Sequence, residues 1–274
     1  MYSERVVCWN RGAVFEGAAN ILAAARVYTA SPHAERLTDK GRNMTSTHNP
    51  GRVAGLWYLL LVLIGPLRLM YIPDKLFVHD NAAATVNNIA AHEWLFRCGV
   101  AADLMGAIVL IFLTLALYRL FQGVDRHLAV LVVILGGVMP SLLYFVNIAT
   151  DLAALMMVRG AAFLSAFDKP QRDALVMLFL RLHDLQNTAA EMLWGVWLLP
   201  LAVLAYRSRF MPRFLGVWLT INGVAYVILS LTGVLAPQFQ GKMFAFSQPA
   251  LLAEVAFMLW LVVKGARPPA IAAA

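Results

Sequence analysis

The chain has 274 residues, of which 61% are hydrophobic and 14% charged, and its formal net charge is +7. A soluble domain carries about 25% charged residues, so this composition, with a mean hydropathy of +0.71, excludes an ordinary water-soluble globule. The positive charge does not point to nucleic acid, because most Lys and Arg flank apolar runs, where they anchor helices, and no basic stripe interleaved with aromatics lies outside those runs.

Residues 1–43 are mixed and basic, moderately helical around Ala18–Val27, and lack the long apolar core of a signal peptide. Met44 then opens a short polar lead, Met-Thr-Ser-Thr-His-Asn-Pro. The expectation is that Met44 is the true start and that residues 1–43 are a poorly structured or partly helical extension. Apolar runs follow at about 53–72, 99–121, 128–150, 185–206, 215–236 and 247–263. Each approaches the roughly 20 residues that cross a hydrocarbon core. No period-2 pattern is sustained enough for barrel strands, and helices are then the remaining spanning solution. The fold class predicted is all-α. It is a polytopic bundle of six transmembrane helices over 44–267, embedded in a lipid bilayer, with a short tail at 268–274.

Two connections carry their own helical signals. Asn81–His92 reads as a short interfacial helix with Asp80 as N-cap. Asp168-Lys-Pro-Gln171 resembles a capping box with Pro170 in the first turn. A helix from there through Tyr206 would be about 55 Å long, far beyond the core thickness. Its outer third, with Arg172, Asp173, Arg181, His183 and Asp184, is expected in water or on the interface. Pro140, beside Gly136 and Gly137, reads as a kink or packing site.

Orientation follows from loop Lys and Arg. With the N-terminus inside, the inner segments hold 14 and the outer loops 7, which favours both termini in the cytoplasm. Starting at Met44 reduces the inner count to 8. Trp57, Tyr58, Tyr118, Tyr206, Trp218 and Trp260 near inner ends, and Tyr71, Trp94 and Tyr144 near outer ends, read as interfacial belts.

Ionisable groups inside spans are costly and each one calls for a functional hypothesis. Arg68 lies 16 residues beyond Arg52, Asp103 lies 16 before Arg119, and Glu191 lies 16 before Arg207. At 1.5 Å per residue all three sit about 24 Å from the inner boundary. Glu254 and Asn222 fall nearer the midplane. Asn147, Asp151, His183 and Asp184 are expected on the outer rim. Asp184, Thr188 and Glu191 recur at helical spacing and predict one polar stripe. The functional expectation is an outward-facing polar vestibule, with Arg68 paired to Asp103 or Glu191 above a deeper Glu254, binding a small polar ligand or ion. The alternative is structural: Arg68 snorkels outward and Glu254 is protonated and bonded to Asn222. Enzyme motifs are missing: the histidines are scattered, no His-Glu-x-x-His occurs, and the serines lack a nucleophile-elbow context. No cofactor or metal is expected; His92 and His183 as haem ligands are the weaker alternative to interfacial histidines. Cys8 and Cys98 lack metal-ligand spacing and predict no disulfide framework.

Several segments together resemble one family. Arg52-Val-Ala-Gly-Leu-Trp-Tyr-Leu-Leu60, Ala82-Ala-Ala-Thr-Val-Asn-Asn-Ile89, Leu95-Phe-Arg-Cys-Gly99 with Asp103, and Leu115-Ala-Leu-Tyr-Arg-Leu120 carry the likeness. So do Leu164-Ser-Ala-Phe167, Trp194-Gly-Val-Trp-Leu-Leu-Pro200 and Glu254 through Lys264-Gly265. In order and as a set they resemble domain of unknown function 4386, over roughly Arg52 to Gly265. The resemblance implies a multi-pass protein of the bacterial inner membrane and supplies no activity, cofactor or catalytic residue. Arg68 stands where the family pattern is apolar, Glu191 where an amide is commoner, and residues 1–43 are additional.

Overall fold

Asn49 opens the first helix of the computed structural model, which describes residues 49–267. The chain divides into Met1–Thr47 and His48–Ala274, and the described residues belong to the second unit. The expectations for residues 1–43 and for the tail at 268–274 lie outside the described residues. Helix α1 runs Pro50–Leu76. The Asn49 side chain accepts from the Gly51 and Arg52 amides, satisfying orphan donors of the first turn. The same oxygen accepts from the Ala266 amide at 3.0 Å, which ties the start of α1 to the end of the last span. Pro66 lies inside α1 and donates no N–H. The chain after it widens into a π turn over Leu67–Tyr71 and returns to α geometry at Ile72–Leu76.

The short helix α2, Ala82–Ala91, is capped by Asn81, whose side chain accepts from the Ala84 amide. Asp80 was the expected cap. It instead takes a left-handed φ of 54°, one residue too early to reach those amides. Helix α3 is Glu93–Phe121 and α4 is Arg126–Arg159. Pro140 sits just after a second π turn, Ile134–Val138, so the expected kink takes the form of a widened turn. Gly160 ends α4 with φ 67°, a conformation that favours glycine. Helix α5, Lys169–Arg207, opens with the expected capping box between Asp168 and Gln171. Helices α6, Arg213–Leu235, and α7, Gln240–Val263, complete the chain.

The six long helices are apolar enough to cross a membrane. They pack in a closed ring in which sequence neighbours touch and α7 returns to α1. The α5–α6 contact is the closest of these, and a Cβ on Gly195 would collide with the Gly223 carbonyl. Helix ends divide into two faces. One, the terminal face, gathers the start of α1, the end of α7 and the loops where Asp125 meets Arg207. The other, the loop face, carries α2 and the start of α5.

Two apolar cores follow from this arrangement. The larger joins Tyr58, Leu113, Leu117, Phe121, Trp197, Leu198 and Phe257. The smaller lies toward the loop face, where Val176 and Leu180 of α5 pack with Ile72, Leu76, Val86, Ile89 and Phe96. The outer third of α5 is therefore not simply a projection into water. Its apolar side is covered by α2 and the ends of α1 and α4. Fully burying one such aliphatic side chain contributes about 1.5–3 kcal/mol, enough for a few of them to hold a segment that hydropathy alone reads as solvated.

Candidate functional site

Arg68 is the first non-aliphatic side chain beyond Pro66, and the π turn carries it into the ring instead of toward lipid. It is 6% exposed. Its Nε donates to Asp103 Oδ2 of α3 at 2.8 Å. Its Nη2 donates to Asp151 Oδ2 of α4 at 2.5 Å. The His183 ring of α5 completes a quartet: Nδ1 and Nε2 lie 3.3 and 2.9 Å from the same Nη2. The lone pairs of the two ring nitrogens diverge, so one amino group close to both faces the ring more than it lines up with either. The ring's Nδ1 also lies 3.2 Å from Asp151 Oδ1. Asp103, Asp151 and His183 are 3%, 2% and 4% exposed. Four spans therefore contribute one charged or polar group each to a dry centre.

The charge balance of this quartet matters. Two carboxylates face one guanidinium, so the centre carries one excess negative charge unless a proton or another cation joins it. Asp103, Asp151 and His183 also place ligand atoms within 4.8 Å of one another. A divalent metal does not fit them as they stand, because the Arg68 cation already lies against both carboxylates and would repel it.

The expected common level of Arg68, Asp103 and Glu191 is only partly realised. Arg68 and Asp103 meet; Glu191 does not join them. Glu191 and His183 are eight residues apart on α5, which at 100° per residue turns their side chains about 80° from each other. His183 faces α1, α3 and α4, while Glu191 faces α6 and α7, beside Gln240. Asp151 and His183, expected on the outer rim, lie inside the quartet. Equal residue counts give equal heights only for parallel helices that end in one plane. Asp103 is 18 residues from the end of α3, whereas His183 is 24 from the end of α5, so the helices are staggered. Asn147 is buried and donates to Asn187 Oδ1 at 2.7 Å. Asp184 is exposed and Thr188 and Glu191 are half-buried, so the expected stripe grades from surface to interior. His92 is exposed at the start of α3, while His183 is engaged by Asp151.

Glu254 of α7 sits in a second centre. The Tyr58 hydroxyl of α1 donates to its Oε1, and Asn222 Nδ2 of α6 donates to Oε2 at 3.4 Å. The Tyr226 hydroxyl faces the same carboxyl. Tyr58 is 1% exposed and Asn222 0%. Tyr58 is thus no belt residue; Trp197 and Phe257 enclose its ring at 6.3 and 6.2 Å. Sequence reasoning missed its role, and Tyr226 as well. The signal for Tyr58 was present: Gly51, Ala54, Gly55 and Tyr58 recur at three- and four-residue spacing, one helix face of small residues on which a neighbour must lie.

Comparison with known proteins gives two matches. Residues 53–265 match the family model described as "Domain of unknown function (DUF4386)". An uncharacterized protein of Archaeoglobus fulgidus is 28% identical over 141 residues, covering 49% of this chain and 80% of the relative. No solved structure matches.

Proposed function

The chain belongs to the DUF4386 family, and from the geometry of its interior we propose that it binds a small polar ligand or ion at the Arg68 quartet, reached from the loop face. The observation that supports this reading is the charge imbalance of the quartet. A buried centre with two carboxylates and one guanidinium is expensive in a membrane interior, and an added proton, ion or cationic ligand removes the imbalance. Contributions from four spans also mean that occupancy at one point would be felt by α1, α3, α4 and α5 together, which suits a transporter or sensor. In this reading the protein resides in a bacterial cytoplasmic membrane with the terminal face inside. The grouping of Arg207, Arg209 and Arg213 in one short terminal-face connection supports that orientation.

The test is ligand-dependent thermal stability of the purified chain in nanodiscs, against a panel of small cations, amines, amino acids and pH steps. A ligand present at about a hundred times its Kd stabilises by about 2.7 kcal/mol. The wild type should respond to at least one panel member, and Asp103→Asn should fold and lose that response. A response kept in full by Asp103→Asn counts against the proposal. A second reading, a brace without a ligand, is favoured by one observation: Arg68 already bonds both carboxylates. It predicts that Asp103→Asn changes stability only, with the wild type indifferent to the whole panel.

A further inference from the structure

Glu254 lies about 15 Å from the Arg68 level, judged by the ten residues of α1 between Tyr58 and Arg68. Its surroundings are of a different kind. Hydroxyls and an amide approach it from α1 and α6, and among the described residues it forms no ion pair. From Tyr226 the polar groups continue. Tyr226 lies within electrostatic reach of both Glu254 and Glu191, with its ring against Trp194 at 6.0 Å, and Glu191 stands beside Gln240 at the loop-face start of α7.

Among the described residues, three buried oxygens along this track have no hydrogen-bond partner: Asn222 Oδ1, Glu191 Oε2 and Gln240 Oε1. Asn222 is the most telling. Its side chain is completely enclosed, its Nδ2 is committed to Glu254, and its Oδ1 therefore lies beside the same carboxyl with nothing to accept from. Buried acceptors normally find a donor, and these three do not. Lone pairs without donors, next to carboxylates without cations, call for a positive charge. All the available atoms are hard oxygens, and no thiolate or imidazole is present to select a transition metal. A cation seated against Glu254 meets one carboxylate, with the neutral Tyr58 and Asn222 around it and Glu191 at the other end of the track, so at that seat a single positive charge is balanced and a divalent ion is not.

We infer that Glu254, Asn222 and Glu191, with the hydroxyls of Tyr58 and Tyr226, form a binding track for a small hard monovalent cation that enters past Gln240. An alkali-metal ion and a hydrated proton share this chemistry. The inference does not require the quartet to bind anything.

The experiment uses the full chain in nanodiscs, with choline chloride replaced by sodium or lithium chloride at constant ionic strength, and in parallel a pH series without either metal. Thermal unfolding is followed by tryptophan fluorescence, to which Trp194 contributes directly. Across a roughly hundredfold range above Kd, Tm should rise by about 5–10 °C. Glu254→Gln and Asn222→Leu should abolish the rise. If the metals do nothing but a pH-dependent rise appears and is lost in Glu254→Gln, the occupant is the hydrated proton, and the inference stands. Tyr226→Phe keeps the ring against Trp194 and guards against misfolding of the stronger variants; it should weaken the apparent affinity about tenfold. A wild type insensitive to all three cations, or a Glu254→Gln variant with the full response, overturns the inference. Since Glu254→Gln leaves the Arg68 quartet intact, a loss confined to that variant separates this track from the quartet reading.

Discussion

Replacing Arg68 by Met tests the energetics of the quartet. Methionine fills much of the aliphatic volume of the arginine stem, so the change removes chiefly the guanidinium and its two hydrogen bonds, at 2.8 and 2.5 Å. Asp103 and Asp151 would then face each other with no counter-charge, both at most 3% exposed. Removing one partner of a buried pair costs about 3–5 kcal/mol, because the remaining charge is left uncompensated. For a domain of this size that is a fall in Tm of about 6–20 °C. Asp103→Asn is milder. It leaves Arg68 paired with Asp151 at balanced charge and loses one charge-assisted bond, about 1.5–3 kcal/mol. The double variant Arg68→Met with Asp103→Asn should recover at least about 1 kcal/mol relative to Arg68→Met alone, since one of the two stranded carboxylates is gone. The assay is a double-mutant cycle on thermal or steric-trap unfolding in lipid. If Arg68→Met unfolds within about 0.5 kcal/mol of the wild type, or if the double variant is simply additive, the quartet is not the coupled, desolvated unit described above.

Other outcomes follow from packing. Gly195→Leu should destabilise by about 1–3 kcal/mol or more through overpacking at the Gly223 carbonyl, read as a lowered Tm, whereas Gly241→Ala, with open space around its Cβ position, should be nearly neutral. Asn49→Ala removes an N-cap and the bond to the Ala266 amide, and should cost about 1–2 kcal/mol and speed hydrogen exchange at Gly51, Arg52 and Ala266. Tyr58→Phe takes one donor from Glu254 and should cost about 1–3 kcal/mol, measured as a Tm shift that Glu254→Gln largely suppresses.

Much of the architecture is legible in the residues because a bilayer leaves few choices. Six apolar runs give six spans, and the Asp168–Gln171 box marks the start of α5 because its chemistry is local. Helix ends are less legible. α3 begins at Glu93, α4 continues to Arg159 and α7 begins at Gln240, all earlier or later than hydropathy indicates. The ends of α3 and α4 carry polar residues on one side and pack with α2 and α5 on the other, while α7 opens on Gln240 and Lys242 with Phe244 and Phe246 exposed, and a sliding average of hydropathy blurs such mixtures. The site divides in the same way. Arg68 and Asp103 can be matched by counting residues from one boundary. Asp151 and His183 cannot, because helix stagger and two π turns shift heights by several residues. Glu191 shares their level by count, yet it lies eight residues, about 12 Å, beyond His183 along α5 and faces another way, and both depend on how the helices are staggered and which helix each face meets. Tyr58 reads as a boundary aromatic by position and as an interior one by the small residues on its own face; the second signal is the better guide wherever a neighbouring helix approaches closely.

The claim at the centre of this account is that the buried quartet responds to a ligand as well as holding four helices together. Charge movement in proteoliposomes on a solid-supported membrane measures that response directly. A concentration jump of the active small cation, amine or proton should give a transient current that saturates in the wild type and disappears in Asp151→Asn of matched stability and reconstitution. A wild type without current across the panel, or an Asp151→Asn variant with the same saturating current, would contradict it.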